Sequence, residues 1–338
     1  MTMNRRIVLA SRPTGAAVED NFRLDSVPVP VPAAGQVLVR HHYLSLDPYM
    51  RGRMNDGKSY AAPQAIGEPM IGGTVGEVVA SHAPGFAVGD KVVGMGGWQE
   101  YSIATPGTAT GVQKVDTSHI PLSAYLGVVG MPGVTAWYGL NRICEPKAGE
   151  TVVVSAASGA VGGVVGQLAK ARGCRAVGIA GGREKCDFVV KELGFDACVD
   201  YKAAPDFKSL RAMLREAAPN GIDCNFENVG GVVLDAILSL MNAFGRIAVC
   251  GMISRYDGAT MPLADPSLIL ISRLKVQGFI VSEHMGVWPE ALAELGAGVA
   301  RGTLKYRESV AHGIESAPGA FLGLLKGRNF GKQVVKLV

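Results

Sequence analysis

Residues 151–175 read TVVVSAASGAVGGVVGQLAKARGCR, and this stretch decides the fold. Thr151 to Val154 form a β-favouring run with no polar face, which predicts a central strand of a parallel sheet. Small residues follow. Val161 to Lys170 then carry helical periodicity, and Gly173 is placed to end a helix. The stretch therefore predicts a strand, a tight turn and a helix of an α/β sheet.

The turn inside this stretch has the spacing of a dinucleotide-binding fingerprint. Ala157, Gly159 and Gly162 occupy its three positions, with Ala in place of the first Gly. The second position lets the backbone approach a pyrophosphate, and the third lets the helix pack close to the strand. The helix N-terminus offers N–H groups and a positive dipole to the phosphates. A glycine triplet alone is a weak signal, so a turn that binds nothing is the alternative.

Composition narrows the class of protein. The 338 residues are 48% hydrophobic and 18% charged, and the net charge of +4 comes from dispersed Lys and Arg, which argues against nucleic acid as a partner. The apolar run after Arg5 and Arg6 is too short for a signal peptide, and no run of about 18 apolar residues predicts a membrane span. Six cysteines without a C-x-x-C pair predict free thiols, so we expect a cytoplasmic protein.

The chain divides into a β-rich part and an α/β part. Residues 1–125 contain short strands between glycine turns, which predict a barrel-like module, and 301–338 are expected to pack onto it. Within 126–300 strand and helix patterns alternate, which predicts a doubly wound parallel sheet. The predicted strands of this sheet are Thr151–Val154, Ala176–Ala180, Ala197–Asp200, Ile222–Glu227, Arg246–Cys250 and Lys275–Val281.

The sixth predicted strand, Lys275–Val281, gives a prediction about the oligomeric state. We expect it at an edge of the sheet, and it is apolar apart from Lys275 and Gln277. Because an exposed apolar edge needs a cover, pairing with the same strand of another subunit predicts a homodimer.

A basic cluster follows the second predicted strand. A site for NAD usually has an acidic residue there to hold the ribose 2′-hydroxyl. This chain has Gly181 and Gly182, which leave space, and then Arg183 and Lys185, which offer charge to a 2′-phosphate. The alternative is a solvated charge cluster, but cations at a helix N-terminus oppose the helix dipole, which favours a functional reason. The cluster predicts NADPH rather than NADH.

The sequence argues against metal and serine-hydrolase chemistry. Histidines 41, 42, 82, 119, 284 and 312 show no ligand spacing, and the cysteines are not clustered. Ala157-Ser158-Gly159 lacks the first glycine of a nucleophile elbow and lies in the predicted phosphate turn.

Several separated stretches resemble one family. They are Leu46–Met54 (LDPYMRGRM), Gly130–Ala136 (GMPGVTA), the fingerprint, Glu227–Gly231 (ENVGG), Cys250–Tyr256 (CGMISRY) and Leu325–Lys332 (LKGRNFGK). Together they resemble the zinc-free medium-chain dehydrogenases/reductases, in the branch of NADPH-dependent alkenal/one reductases that includes prostaglandin and curcumin reductases. The resemblance implies an α/β fold with a GroES-like β-rich catalytic domain, 1–125 plus 301–338, and a Rossmann NADP-binding domain, 126–300. It also implies a homodimer. Ile66-Gly67-Glu68 lacks the His of the zinc enzymes.

The resemblance also implies site residues. Lys185 and Tyr201 would contact the 2′-phosphate, Asn228 the cofactor ribose and Asn329 the nicotinamide end. Tyr49 and Tyr256 would be catalytic residues near the substrate, and Tyr256 would also contact the cofactor near the nicotinamide ribose. The remaining implied cofactor contacts are Ala157, Gly159, Ala160, Val161, Gly162, Arg183, Cys250, Phe279 and Val281. From the residues alone, Asn228 is also explained as a turn Asn before Gly-Gly, Asn329 as a helix cap, and the two tyrosines as structural.

These inferences predict an NADPH-dependent reductase of the C=C bond in α,β-unsaturated ketones or aldehydes. Hydride transfer to the β-carbon would leave an enolate, whose oxygen needs a hydrogen-bond donor, either Tyr256 or a ribose hydroxyl. Two alternatives stay open, namely an NADPH:quinone reductase on the same fold and a protein that binds NADPH without turnover. The substrate pocket would depend on the loops Asn55–Pro63 and Arg255–Pro262.

Overall fold

The computed structural model describes residues 2–57, 59–108, 111–256, 258 and 260–338. The chain divides into two compact units, the first made of Met1–Gly127 and Glu308–Val338 and the second of Val128–Arg307. The catalytic and cofactor-binding roles assigned to the two parts of the sequence remain predictions. Both loops named for the substrate pocket contain positions outside the described residues, namely Lys58, Asp257 and Ala259.

The elements of the described residues are numbered in chain order. The strands are β1 Met3–Leu9, β2 Phe22–Pro28, β3 Val37–Ser45, β4 Thr74–Ser81, β5 Lys91–Gly94, β6 Tyr101–Ala104, β7 Val112–Lys114, β8 Thr151–Ser155, β9 Arg175–Ala180, β10 Ala197–Asp200, β11 Ile222–Glu227, β12 Met241–Val249, β13 Lys275–Gly278, β14 Glu308–His312 and β15 Lys332–Lys336. The α-helices are α1 Tyr49–Arg53, α2 Met131–Tyr138, α3 Gly162–Ala171, α4 Arg183–Lys191, α5 Phe207–Ala217, α6 Gly231–Leu238, α7 Ser267–Ile271, α8 Trp288–Ala300 and α9 Ala317–Leu325.

The first unit is built on a mixed sheet of seven strands. Their order is β14-β15-β3-β4-β5-β7, and β6 pairs with β3. The C-terminal strand β15 runs antiparallel to β3, which confirms that the tail packs onto the N-terminal part. The core of the first unit contains three aromatic rings. Phe22 stacks on Trp98 at 5.6 Å between centroids, and Phe321 meets both rings edge-on. Contacts of this kind add to the stabilisation from apolar burial.

The second unit confirms the doubly wound parallel sheet. Its strands are parallel in the order β10-β9-β8-β11-β12-β13, so the chain starts in the middle and builds outward in both directions. All five residues of β8 are buried, because helices cover both faces of such a sheet. Ligands of these sheets bind beyond the carboxyl ends of the strands, near the point where the order reverses. Here that point lies between β8 and β11.

The sixth strand is shorter than the sequence prediction. The predicted end at Val281 is wrong, because β13 stops at Gly278, where its pairing with β12 ends at Val249. Phe279 leaves the sheet and packs its ring 5.4 Å from that of Tyr138. The strand lies at the edge of the sheet, as predicted.

Over the part of the chain that the structure describes, helices are all too short or too polar to cross a membrane.

Candidate cofactor and active site

The turn after β8 has a geometry that requires small residues. Ala156 adopts a left-handed φ of 52°, which is uncommon for a residue with a side chain. A Cβ on Gly162 would overlap the carbonyl oxygen of Ala156 and lie 2.9 Å from Cα of Ala157. Glycine is therefore required where α3 begins, and the helix N-terminus lies close against the strand end.

The outer side of the same turn is open. Gly159, Ala160 and Val161 are partly exposed, and a Cβ on Gly159 would meet only the carbonyl oxygen of Ala156, at 3.1 Å. The first turn of a helix has N–H groups that its own ladder does not use, and they carry partial positive charge. An open turn without side-chain bulk before a helix N-terminus fits a pyrophosphate group.

A basic pocket lies beyond the ends of β9 and β10. Arg183 is exposed, Lys185 is half-buried and Tyr201 is 41% exposed. A Cβ on Gly181 would lie 2.9 Å from Cε1 of Tyr201 and 3.0 Å from Cε of Lys202. Gly181 therefore leaves its space to these two side chains, and Lys202 is a cation of this pocket that the sequence analysis missed.

The charges of this pocket favour an anion. Burial, and then the charge of Lys202, lower the pKa of Lys185, while Glu184 opposes that effect weakly from an exposed position. The carboxylate of Asp200, at the end of β10, accepts the N–H groups of Gly182 at 2.7 Å and Lys202 at 3.0 Å and so ties the two loops of the pocket together. A dianionic phosphate would relieve the repulsion between the lysines. The pocket fits a 2′-phosphate.

Glu227 organises the sheet edge between β8 and β11. It is fully buried, and its carboxylate accepts the hydroxyl of Ser155 at 2.9 Å and the side-chain amide of Asn225 at 2.9 Å. It also accepts the N–H groups of Val229 at 2.7 Å and Gly230 at 2.8 Å. A buried carboxylate needs several donors of this kind. The organising role of Glu227 has no local signal in the sequence, because its partner Ser155 meets it only in the folded sheet.

Asn228 is anchored to this network. Its backbone N–H donates to the Ser155 hydroxyl at 2.7 Å, and its side-chain amide donates to the Ser155 carbonyl at 2.7 Å. The side chain is thus held at the carboxyl end of β8, beside the phosphate turn. An orientation fixed by two bonds suits contact with a ribose hydroxyl.

Cys250 and Tyr256 follow β12 and are tied to the same edge. The N–H of Cys250 donates to the carbonyl of Glu227 at 2.9 Å, and burial together with the Glu227 charge raises the pKa of the Cys250 thiol to about 12. Ile253 donates its N–H to the carbonyl of Asn228 at 3.1 Å, and Tyr256 closes the following 3₁₀ turn. The phenol oxygen of Tyr256 lies 3.9 Å from the position of a Cβ on Gly251.

Phe279 and Val281 lie just beyond the end of β13. Both side chains are buried, and the Phe279 ring meets that of Phe226 edge-on at 6.2 Å. Their side chains are committed to the core. Only their main-chain groups are therefore suited to contact a ligand.

Tyr49 and Asn329 belong to the first unit. Tyr49 begins α1, packs against the aromatic core and lies with its ring centroid 6.0 Å from the guanidinium carbon of Arg53. Burial, and then the charge of Asp47, raise the pKa of its phenol, so the group is neutral at physiological pH. Asn329 donates its side-chain amide to the carbonyl of Gly331 at 2.8 Å.

A buried ion pair supports the segment that carries Tyr49. The ammonium of Lys332 contacts the Asp47 carboxylate and donates to the Leu46 carbonyl at 2.9 Å. Both charged side chains are less than a tenth exposed. Removing one partner from such a pair leaves a buried charge uncompensated, at a cost of about 3–5 kcal/mol. The pair joins β15 to the approach to α1.

Comparison with known proteins gives matches over nearly the whole chain. A family profile described as the N-terminal domain of oxidoreductase matches residues 5–115, and one described as zinc-binding dehydrogenase matches 160–297. The chain is 49% identical to the NADPH-dependent curcumin reductase of Escherichia coli (strain K12), over 99% of this chain and 97% of that protein. It is 45% identical to the 2-alkenal reductase (NADP(+)-dependent) of Nicotiana tabacum, over 98% and 97%. The crystal structure of CurA in complex with NADPH from Vibrio vulnificus is similar with a TM-score of 0.92 and 47% identity, over 99% of each chain.

The name of the second profile raises the question of zinc. Within the described ranges, no group of three or more His, Cys, Asp or Glu residues is placed to hold a metal ion. From the missing ligand motif in the sequence, we expect the purified protein to contain no stoichiometric zinc. Elemental analysis of protein prepared without chelators checks this. One tightly bound zinc per chain, lost together with activity, would contradict the prediction.

Proposed function

The chain belongs to the NADPH-dependent branch of the medium-chain dehydrogenase/reductase superfamily, and from this premise we propose how its residues act. The enzyme reduces the C=C bond of α,β-unsaturated ketones or aldehydes, with NADPH as the reductant. One observation supports these residue assignments. The open glycine turn after β8 and the basic pocket of Gly181, Lys185, Tyr201 and Lys202 both lie at the carboxyl ends of neighbouring strands of the same sheet.

Different residues of the second unit would bind different groups of the cofactor. The turn of residues 157–162 would bind the pyrophosphate, and Arg183, Lys185, Tyr201 and Lys202 would surround the 2′-phosphate. Asn228 would contact the ribose, with Cys250 and the main chain of Phe279 and Val281 beyond it. We propose Asn329 for the nicotinamide end. When bound, NADPH supplies the hydride.

The protein's contribution to the chemistry is orientation and charge stabilisation. Reduction at the β-carbon leaves an enolate, and we propose that the Tyr256 phenol donates a hydrogen bond to its oxygen or orients a ribose hydroxyl that does so. Tyr49 would contact the substrate as a second neutral phenol. Burial raises the pKa of the Tyr49 phenol, which keeps its proton at physiological pH as an unperturbed phenol also does.

Two assays separate this function from its alternatives. NADPH oxidation is followed with an α,β-unsaturated ketone and with a quinone at equal NADPH, and we expect the higher kcat/KM for the enone. A preference for the quinone would indicate an NADPH:quinone reductase. Tight NADPH binding without consumption by any electrophile of a panel would indicate a protein that binds NADPH without turnover.

We propose that two copies pair along β13. The edge carries exposed apolar side chains on β13 and its neighbours, since Val276 is 45% exposed, Phe244 67%, Ile271 59% and Leu270 78%. Strand pairing across a two-fold axis would satisfy the backbone and cover these side chains. We expect a dimer by light scattering at micromolar concentration, and Val276→Lys should shift it toward the monomer. A wild-type monomer would contradict the proposal.

We also propose a cytoplasmic location. All six cysteines are free thiols, and proteins of reducing compartments keep their cysteines in this state.

A further inference from the structure

Two thiols face each other beside the basic pocket. Cys186 lies in the first half of α4, Cys198 lies on β10, and their sulfur atoms are 2.9 Å apart, with the Cys198 thiol donating to Cys186. Twelve positions separate them in the sequence. A disulfide has a sulfur–sulfur distance of about 2.05 Å, so closing this pair requires less than about 1 Å of movement.

The pair lies near the surface. Cys186 is 9% exposed and Cys198 is partly exposed, and β10 forms an edge of the sheet. The cysteines Cys144 and Cys224 give an internal comparison, because both are fully buried in the core of the second unit. A small oxidant in water therefore reaches the first pair more readily than the second.

The two sulfur atoms differ in their environment. The hydrogen bond from Cys198 lowers the pKa of the Cys186 thiol and outweighs the opposite effect of burial. The same contact and burial raise the pKa of Cys198. The short distance places each sulfur within reach of the other, so a sulfenic acid formed on one cysteine can be resolved by the second as a disulfide.

We propose that Cys186 and Cys198 are a modification site at which hydroperoxides form an intramolecular disulfide, and that this bond weakens NADPH binding. The thiolate of one of the two cysteines attacks the terminal peroxide oxygen, the O–O bond breaks, and a sulfenic acid and an alcohol or water form. The sulfur of the other cysteine then displaces hydroxide from the sulfenic sulfur. Its proton leaves with the hydroxide as water. Two thiols lose two electrons, and one peroxide gains them.

The link to NADPH comes from position and rests on the proposed function. Cys186 directly follows Lys185, and the N–H groups of both donate to the carbonyl of Gly182, at 3.1 Å for Lys185 and 3.2 Å for Cys186. Drawing Cys186 toward β10 moves the helix turn that carries Lys185. Tyr201 directly follows β10 on the other side. The disulfide therefore changes the spacing of the cations around the 2′-phosphate.

The test uses the full-length enzyme treated with hydrogen peroxide and compared with the dithiol form. Peptide mapping by mass spectrometry without reductant is expected to show the Cys186–Cys198 disulfide, reversible by a phosphine. NADPH should bind about fivefold or more weakly to the oxidised form, with the NADH affinity little changed. By reciprocity, saturating NADPH should disfavour oxidation by the same factor.

Serine variants test whether Cys186 and Cys198 are the cysteines that form the disulfide. Cys186→Ser and Cys198→Ser should each abolish both the disulfide and the peroxide effect on NADPH affinity, whereas Cys174→Ser, at a buried thiol elsewhere in the second unit, should retain them. Absence of the disulfide in the wild type, or a disulfide between other cysteines, overturns the proposal. An oxidised form with unchanged NADPH affinity overturns the link to the cofactor. Failure of enone turnover in the dithiol form bears on the proposed function only.

Discussion

Lys185→Ala is expected to weaken NADPH binding roughly 10- to 150-fold while leaving the NADH affinity nearly unchanged, because a charge-assisted contact to phosphate contributes on the order of 1.5–3 kcal/mol. NADH lacks the 2′-phosphate and serves as the internal reference. Lys185 is half-buried, and burial together with the charge of Lys202 lowers its pKa, so a bound anion would stabilise its charged form. The 2′-phosphate of NADPH would interact favourably with the Lys185 charge, and NADH has no such group. The loss of affinity in Lys185→Ala should therefore be seen with NADPH alone.

The control variant lies on the same helix. Lys191→Ala removes a lysine that is 70% exposed at the side chain and pairs with Asp187, and it should leave the affinities for both cofactors unchanged. Dissociation constants are measured by titration of nicotinamide fluorescence. Equal loss of NADPH and NADH affinity in Lys185→Ala would show that Lys185 does not read the 2′-phosphate. Lys202→Ala should give a smaller loss, because Lys202 is more exposed and its charge is better screened.

The fold of the second unit could be read from the sequence because its strands are buried on both faces. A run such as Thr151–Val154 has one structural explanation, and the glycines around it mark the turns. The ends of the strands were harder to predict than their existence. β12 begins at Met241 rather than at the predicted Arg246, and the pairing with β11 shifts register between Ile222 and Cys224. Phe244 in this segment adopts φ 63°, so the irregular start resembles a turn in the sequence.

The candidate site was predicted where a local motif carries it and missed where tertiary contacts create it. Residues 157–162 and Arg183–Lys185 follow their strands directly, and parallel strands bring their carboxyl ends to one edge. Glu227 meets Ser155 across 72 positions, and Lys332 meets Asp47 across 285. No spacing rule predicts such pairs. Tyr49 was predicted as a site residue, but the pKa of its phenol also depends on the charge of Asp47. The sequence does not show that Asp47 pairs with Lys332.

Tyr256→Phe is expected to slow hydride transfer roughly tenfold or more with little change in NADPH affinity. The substitution keeps the ring and its packing and removes only the donor. Loss of one donor to a developing oxyanion costs about 10²–10³ in rate in other enzymes, and a ribose hydroxyl or a water can replace part of that effect. Because the donor acts mainly in the transition state, the loss should fall on kcat. Single-turnover rates at saturating NADPH measure it.

Tyr49→Phe provides the contrast that decides between the two phenols. Tyr49 belongs to the first unit, and we expect its removal to raise the KM for the enone while leaving the single-turnover rate close to that of the wild type. Tyr256 closes a 3₁₀ turn whose first residue, Ile253, donates its N–H to the carbonyl of Asn228, so the backbone that carries Tyr256 is tied to the end of β11. A preorganised donor lowers the barrier because no reorganisation is needed during the reaction. An unchanged hydride-transfer rate in Tyr256→Phe would remove Tyr256 from the catalytic residues and leave the cofactor's ribose hydroxyl as the donor.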